Sequence, residues 1–189
     1  MSETTGTPLS LIFVEKRRTL LLYFLKQEYN ETKKNFEGAR IVGYIEDLRE
    51  KIGHMPVILL GCVGIIMDQE GRVLLQQRNE KRKRWGLPGG LMEPGESAEE
   101  TVKREIFEET HLVVEEVRLL NVYSGKDYHV IADNGDEYYV VTCAYFCDSW
   151  SGSTVQDKKE TLQLRFFDHR KLPENMVGSH KRILKNYTG

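Results

Sequence analysis

A helix that begins after Ser97 is the clearest structural signal in this chain. Ser97 can accept a hydrogen bond from the backbone N–H of Glu100, while the Glu100 carboxylate reaches back to the backbone of Ser97, and this reciprocal arrangement is a capping box. Ala98, Val102 and Ile106 recur every four residues and predict a stripe that packs on the core. A fixed start and a fixed buried face set the register of every other side chain on the helix.

Three carboxylates, Glu105, Glu108 and Glu109, fall on one side of this helix. Positions three and four apart are neighbours, so Glu108 and Glu109 both lie beside Glu105. The helical angle puts Glu105 and Glu109 next to the buried stripe, where unpaired charge is costly and must take up protons or bind a cation. Oxygen ligands favour Mg²⁺ or Mn²⁺ over zinc. The competing interpretation is a solvated face on which Arg104 pairs with Glu108.

A loop rich in glycine and proline precedes the helix. Between Gly86 and Gly95 the chain holds four glycines and two prolines, which let a backbone turn sharply and approach a ligand closely. Such a loop beside a cluster of carboxylates favours the metal site over the solvated face.

At these residues the sequence resembles the Nudix hydrolases, including their MutT-like and ADP-ribose pyrophosphatase-like members. The box of that family reads G-x5-E-x7-R-E-U-x-E-E-x-G-U, where U is an aliphatic residue. The matching positions are Gly90, Glu96, Arg104, Glu105, Ile106, Glu108, Glu109 and Leu112. His111 departs from the box, because it stands where the family has a glycine that usually adopts a left-handed conformation. We expect an altered helix end rather than a loss of chemistry.

The resemblance implies a fold, an activity and a set of residue roles. The fold is of the α/β (α+β) class, as a Nudix-type α/β/α sandwich with a mixed sheet, whereas the sequence pattern alone supports only α/β or α+β. The activity is Mg²⁺-dependent hydrolysis of a diphosphate, with Mn²⁺ as the alternative ion. The family assigns metal binding chiefly to Glu105 and Glu109, with Glu108 and the Gly90 carbonyl as further ligands.

The expected reaction calls for metal ions and a base. Acidic side chains can hold a diphosphate only through bridging divalent cations, which also lower the pKa of a coordinated water. Glu105 is our first choice for the catalytic base that accepts the proton of the attacking water. Glu160, just before a predicted strand, is an alternative base or metal ligand, and an ordinary charged turn residue is an equally good interpretation of it. Glu96 and Arg104 are expected to brace the loop against the helix.

Five basic residues between a predicted strand and the Gly-rich loop are candidates for binding the terminal phosphates of a substrate. They are Arg78, Lys81, Arg82, Lys83 and Arg84. Arg78, at the end of the strand, is the best individual candidate. Solvated loop charge is the commoner explanation of such a run.

Four aromatic residues could stack on a base, although aromatic residues in strands more often belong to the core. They are Trp85, Tyr123, Tyr128 and Tyr139. Tyr128 lies near where dinucleoside-polyphosphate hydrolases of the family place a tyrosine. The signatures of NADH and coenzyme A pyrophosphatases are absent, as is the proline that follows the box in ADP-ribose hydrolases, and these absences disfavour those substrates without excluding them.

The leading hypothesis is a Mg²⁺-dependent hydrolase of a nucleoside diphosphate linked to another moiety, in which water attacks phosphorus. A nucleotide-sensing or interaction module of the same fold is the alternative from another class. An isoprenoid-diphosphate isomerase is a weaker third hypothesis, because we find no paired Cys and Glu motif that this chemistry demands.

Charge and cysteine content narrow the partners and the location. A formal net charge of −2 gives no general attraction to nucleic acid or to anionic membranes, so we expect neither partner. Cys62, Cys143 and Cys147 are an odd number without zinc-type spacing, which predicts reduced, packed thiols in a cytoplasmic protein. A homodimer is possible, since relatives are often dimeric.

Residues 1–40 are predicted to be an N-terminal extension and residues 41–189 the Nudix domain. The apolar segments within 9–25 are interrupted by charges and too short to span a bilayer, and they lack the order of a signal peptide. They could cover the core as a helix or strand, form a dimer contact or, less readily, lie on a membrane surface. Residues 26–40 have no apolar period and predict a linker.

The rest of the chain alternates helical and strand patterns. Ile45, Leu48 and Ile52 predict a helix. The segments Val57–Met67 and Val73–Gln77 predict a hairpin around an Asp-Gln-Glu-Gly turn. Further strands are predicted at Val113–Val122, Tyr138–Phe146 and Leu162–Phe167, with turns at 133–136 and 151–153 and a closing helix at 179–187.

Overall fold

The computed structural model describes residues 43–132, 134–155 and 160–188. The predictions for residues 9–25 and 26–40 lie outside these ranges, so the N-terminal extension stays a prediction. Within the described ranges, no helix is long and apolar enough to cross a membrane. The expectations of a cytoplasmic location and of a homodimer stay predictions as well.

Within the described residues, three helices are separated by two runs of four strands. The helices are α1 (Tyr44–Ile52), α2 (Ala98–Thr110) and α3 (Gly178–Thr188). The strands are β1 (Val57–Ile65), β2 (Arg72–Arg78), β3 (Trp85–Gly86), β4 (Gly89–Leu91), β5 (Val113–Tyr123), β6 (His129–Ile131), β7 (Glu137–Ser151) and β8 (Thr161–Asp168). A short 3₁₀ turn, Lys126–Tyr128, lies between β5 and β6. The predicted helices at both ends of the described chain and the three predicted strands after the box are thereby confirmed.

The strands form two sheets. In the larger sheet the order is β4-β1-β7-β5, and β6 also pairs with β7. The β1 and β7 strands run parallel while the other pairs are antiparallel, so this sheet is mixed, as predicted. The smaller sheet has the order β3-β2-β8 and is antiparallel, and it was not predicted.

The predicted hairpin between β1 and β2 is wrong. The turn itself is hairpin-like, since the Leu74 N–H donates to the Ile66 carbonyl over 2.9 Å and Met67 forms an antiparallel bridge with Val73. Beyond that bridge the two strands enter different sheets, because β1 pairs along its whole length with β7 while β2 pairs with β8. A turn of this composition is compatible with either outcome, and the long-range pairing decides between them.

Two buried clusters form the core, and each face of β1 contributes to one of them. Cys62 belongs to the cluster that includes Val102 and Ile106 of α2. Its neighbour Val63 belongs to the cluster that includes Ile183 of α3. Successive residues of a strand point to opposite faces, so the mixed sheet lies between a core covered by α2 and a core covered by α3. This arrangement confirms the predicted sandwich.

The three cysteines are free and buried. Burial raises the pKa of Cys62 to about 12 and that of Cys147 to about 12, so both thiols stay protonated at neutral pH. The prediction of packed, reduced thiols is confirmed.

Candidate active site

The start of α2 has the predicted cap. The Glu100 N–H donates to the Ser97 hydroxyl oxygen over 3.2 Å, and the Ser97 N–H donates to the Glu100 carboxylate over 2.8 Å. Val102 and Ile106 are fully buried, while Ala98 packs at the edge of the same core. The register predicted for the helix is therefore correct.

The end of α2 differs from our expectation. His111 itself adopts the left-handed conformation, with φ of 62° and ψ of 12°, and its N–H donates to the Phe107 carbonyl over 2.8 Å. The expected alteration of the helix end is wrong, because this hydrogen bond closes the last turn as a glycine would close it. The cost of holding a residue with a Cβ in this conformation is about 1 kcal/mol.

The three carboxylates of α2 are buried to different degrees. Glu109 is 4% exposed, the Glu105 side chain 12% and the Glu108 side chain 40%. Glu105 and Glu109 therefore border the core, as predicted, and Glu108 reaches towards solvent.

Glu109 contacts the Gly-rich loop directly. Its carboxylate accepts a hydrogen bond from the Gly89 N–H over 2.7 Å. Burial raises the pKa of Glu109 to about 8, and the nearby Gln76 amide, the Gly89 N–H and the Arg78 guanidinium oppose this rise only in part. Without a cation, this carboxyl group is therefore protonated at neutral pH.

Glu105 lies against the bare backbone of Gly90. A Cβ at position 90 would lie 2.5 Å from the Glu105 carboxyl carbon and 2.6 Å from each of its oxygens. Only glycine lets the loop and this carboxylate approach so closely. Burial raises the pKa of Glu105 and its bonds to Arg104 lower it, while the charges of Glu108 and Glu160 raise it further.

Arg104 connects the loop to the helix. Its guanidinium donates to the Leu91 carbonyl over 3.1 Å, to Glu105 over 2.8 Å and to Glu108 over 3.1 Å. A further bond to Glu96 is 3.0 Å long and holds the pKa of that carboxyl at about 2. The expected bracing of the loop is confirmed in its geometry. The Arg104–Glu108 pair of the competing interpretation also exists, as one part of this network.

The three carboxylates lie on one side of α2 but do not surround a common point. Within the described ranges, no three His, Cys, Asp or Glu side chains converge on one point as metal ligands. Arg104 engages Glu105 and Glu108, while Glu109 is directed to the Gly89 N–H. The predicted ligand set is thus brought to one side of α2, and its role as a set of ligands stays a prediction.

Glu160 precedes β8 on the same side of the molecule. Its charge is close enough to raise the pKa of Glu105, and its carbonyl accepts a hydrogen bond from the Asn79 N–H over 2.7 Å. Its side chain is exposed. The structure thus places Glu160 near Glu105, and its role as base or ligand stays a prediction.

A cleft of about 390 Å³ opens beside Gly89 and Gly90. Of the five basic residues, Arg78 and Arg84 line this cleft, whereas the three between them are exposed and do not. Both guanidinium groups pair with Glu80, Arg78 over 3.9 Å, and of the two it is Arg78 whose charge also acts on Glu109. The solvated-loop interpretation therefore holds for the middle of the cluster only.

Of the four aromatic candidates, one lines the cleft and three do not. Tyr128 lines the cleft, with the guanidinium carbon of Arg182 5.4 Å from its ring centre. Trp85 and Tyr123 pack against the core. Tyr139 is exposed and does not line the cleft, whereas its neighbour Tyr138 does.

His180 is a residue of this site that no sequence motif indicates. Its Nδ1 accepts a hydrogen bond from the Leu87 N–H over 3.0 Å, and its ring lines the cleft. Burial first, and then the charges of Arg78 and Arg84, lower its pKa to about 3. The ring is neutral, and because Nδ1 accepts a bond, the proton is on Nε2.

The sequence model of the NUDIX domain family matches residues 59–187 of this chain. The chain belongs to this family. Nudix proteins are hydrolases of phosphoric anhydrides, and they generally require divalent metal ions. The resemblance in the box and the predicted enzyme class are confirmed.

Two curated Nudix relatives bear different substrate names. An ADP-ribose pyrophosphatase of Methanocaldococcus jannaschii is 32% identical over 124 residues, which cover 65% of this chain and 69% of the relative. A putative 8-oxo-dGTP diphosphatase of Bacillus subtilis is 31% identical over 127 residues, covering 67% of this chain and 78% of the relative. Among solved structures, a MutT NUDIX hydrolase from Burkholderia pseudomallei has a TM-score of 0.60 and 29% identity, covering 69% of this chain and 98% of that one.

Proposed function

We propose that this Nudix protein is a Mg²⁺-dependent hydrolase that cleaves the diphosphate linkage of a nucleoside diphosphate joined to another moiety, by attack of water on phosphorus. One observation carries the proposal. Two carboxylates that border the core, Glu105 and Glu109, lie directly against the glycines that form the wall of a cleft with room for a nucleotide moiety.

The donor set fits a hard divalent cation. Glu105 and Glu109 have raised pKa values because burial disfavours their charged forms, so a bound cation would stabilise the ionised pair. Glu108 and the Gly90 carbonyl are further oxygen donors nearby, and all-oxygen sites suit Mg²⁺ or Mn²⁺. When bound, such a cation polarises phosphoryl oxygens and neutralises charge in the transition state.

The side chains of this chain supply the remaining functions. Glu105 is the proposed catalytic base, because its carboxylate lies against Gly90 at the wall of the cleft. Glu160 is the second candidate for this role. Arg78 is the proposed phosphate-binding residue, since its guanidinium lines the cleft and its charge acts on Glu109. Arg104 and Glu96 hold the loop in position and contribute no group to the reaction.

The relatives support the substrate class. ADP-ribose and 8-oxo-dGTP both contain a phosphoric anhydride attached to a nucleoside. The relatives named for them have nearly equal sequence identity to this chain, 32% and 31%. Their names support a nucleoside diphosphate derivative without selecting one. Tyr128 and Tyr138, which line the cleft, are the proposed contacts for the nucleobase of the substrate.

Chromatographic detection of the nucleotide products formed from a panel of nucleoside triphosphates, dinucleoside polyphosphates and nucleotide sugars, with and without Mg²⁺, tests the proposal. Glu105→Gln is expected to reduce kcat by about 10²–10⁴-fold. Glu99→Gln, which changes an exposed glutamate on the same helix, is the matched control and should match the wild type. Hydrolysis in ¹⁸O-labelled water identifies the phosphorus that is attacked. Full activity of Glu105→Gln and Glu109→Gln would refute the assignment, and nucleotide binding without turnover would support the sensing alternative.

A further inference from the structure

Gln76 is a polar side chain in an apolar part of the core. It follows the buried residues Val73, Leu74 and Leu75 on β2 and has no exposed surface. Glutamine is seldom buried so completely, and a buried amide must find partners for both of its ends.

Only one end of this amide has a partner. The Gln76 Oε1 accepts a hydrogen bond from the Thr161 hydroxyl over 2.7 Å. The Gln76 Nε2 is buried and has no hydrogen-bond partner among the residues that the structure describes. Leaving such a donor unpaired costs about 1–3 kcal/mol, so its retention calls for a reason.

The acceptor that this nitrogen faces is the Glu109 carboxylate. Gln76 lies near enough to Glu109 to lower its pKa, although no bond of normal geometry is formed. A carboxylate is only an acceptor, and Thr161 holds the amide oxygen, so the nitrogen is the end left for Glu109. The Gly89 N–H already donates to one oxygen of the same carboxylate.

We propose that Gln76 is a positioning residue for the metal site: its amide nitrogen donates to Glu109 when that carboxylate turns to hold the cation. This inference rests on the proposed function. Gly89 and Gln76 then fix the plane of the Glu109 carboxylate from two directions, and the buried donor is satisfied in the working state. Partners of this kind orient the ligands of a metal and tune its affinity.

The same amide lies between Glu109 of α2 and the start of β8. Thr161, which holds the oxygen of Gln76, directly follows Glu160 and pairs with Arg78 across the small sheet. Gln76 therefore lies between Glu109 and the residue that follows Glu160. A purely structural role in the core would require both ends of the amide to be paired, and one is not.

Mn²⁺ binding to the full chain, followed by electron paramagnetic resonance, tests the inference. Gln76→Met keeps the volume of the side chain but removes the donor, and it should weaken Mn²⁺ binding by about 10–100-fold. Gln77→Met is the matched control, since Gln77 is the next residue of β2 and its amide donates to the Lys83 carbonyl over 3.1 Å, away from Glu109. It should leave the affinity within about twofold, which is small beside the effect expected at position 76. Urea denaturation confirms that both variants are folded.

A measurement on the unaltered protein complements the variants. The side-chain amide resonances of Gln76, assigned through their contacts with Thr161, should move on Mg²⁺ titration with the same midpoint as metal binding. Resonances that stay unchanged at saturation would overturn the role, as would a folded Gln76→Met that binds Mn²⁺ like the wild type or an equal loss in Gln77→Met. A wild-type protein that binds no Mn²⁺ would instead refute the metal site, and with it every role assigned to its supporting residues.

Discussion

Glu109 should make the metal-free protein less stable as the pH rises. Its pKa is raised from an ordinary 4.5 to about 8 in the folded state, chiefly by burial. Between these values the folded protein keeps a proton that the unfolded chain has released. The free energy of unfolding therefore falls as the pH increases through this window, and the effect is complete above the folded-state pKa.

The size of the effect follows from the same two values. At about 1.4 kcal/mol per pKa unit, the difference between 4.5 and about 8 gives an upper limit of about 5 kcal/mol. Glu109→Gln removes the titration while retaining the shape and an oxygen that can accept the Gly89 N–H. The variant should therefore be more stable than the wild type at high pH, and the difference should vanish at low pH.

Urea denaturation in EDTA at about pH 5, 6, 7 and 8 measures this difference. The stability of Glu109→Gln minus that of the wild type should grow by up to about 1.4 kcal/mol per pH unit and level off near the upper end. Other titrating groups largely cancel in the subtraction, and Glu99→Gln, exposed on the same helix, should show no such trend. A difference that stays constant across the range would refute the burial argument.

Substitutions at three further positions test the site and its supports. Gly90→Ala places a Cβ 2.5 Å from the Glu105 carboxyl carbon, so kcat/KM measured from the nucleotide products should fall by about 100-fold. His180→Leu leaves the buried Leu87 N–H unpaired and should lower the free energy of unfolding by about 1–3 kcal/mol in urea, whereas His180→Asn, which retains an acceptor near the Nδ1 position, should lose much less. His111→Gly should raise that free energy by about 0.5–1 kcal/mol with unchanged kcat/KM, because glycine adopts the left-handed conformation without strain.

Each of these has an outcome that contradicts it. Wild-type kcat/KM in Gly90→Ala would show that Glu105 can move without consequence. Equal losses in His180→Leu and His180→Asn would assign the effect to packing rather than to the hydrogen bond. A destabilised His111→Gly would mean that the contact between the His111 and Phe107 rings outweighs the backbone strain.

The parts of the site that could be predicted from the sequence are those set by local rules. The cap at Ser97 and the stripe of Val102 and Ile106 fix the helix, and the helix fixes which glutamates are buried. The conformation of His111 was predicted less well. The energetic cost of its left-handed backbone is small beside the hydrogen bond and the ring contact that His111 makes with Phe107.

The parts that could not be predicted depend on residues far apart in the chain. Gln76 and His180 stand in ordinary strand and helix patterns, and they gain their roles only from Thr161 and Leu87, which tertiary pairing brings to them. The small sheet escaped prediction for the same reason, since nothing near β2 indicates that its partner is β8.

The pairing of the strands also has a consequence for the order of synthesis. The strand β1 pairs with β7, and β2 pairs with β8. Neither sheet can therefore be completed before the last third of the chain has been made. While that part is still within the ribosome, α2 has emerged with its apolar stripe uncovered. Such long-range closure is slow, and intermediates of this kind are prone to aggregate. We expect α2 to dock only once β7 has left the ribosome, so a chaperone that shields apolar helices would have its greatest effect on yield before that point.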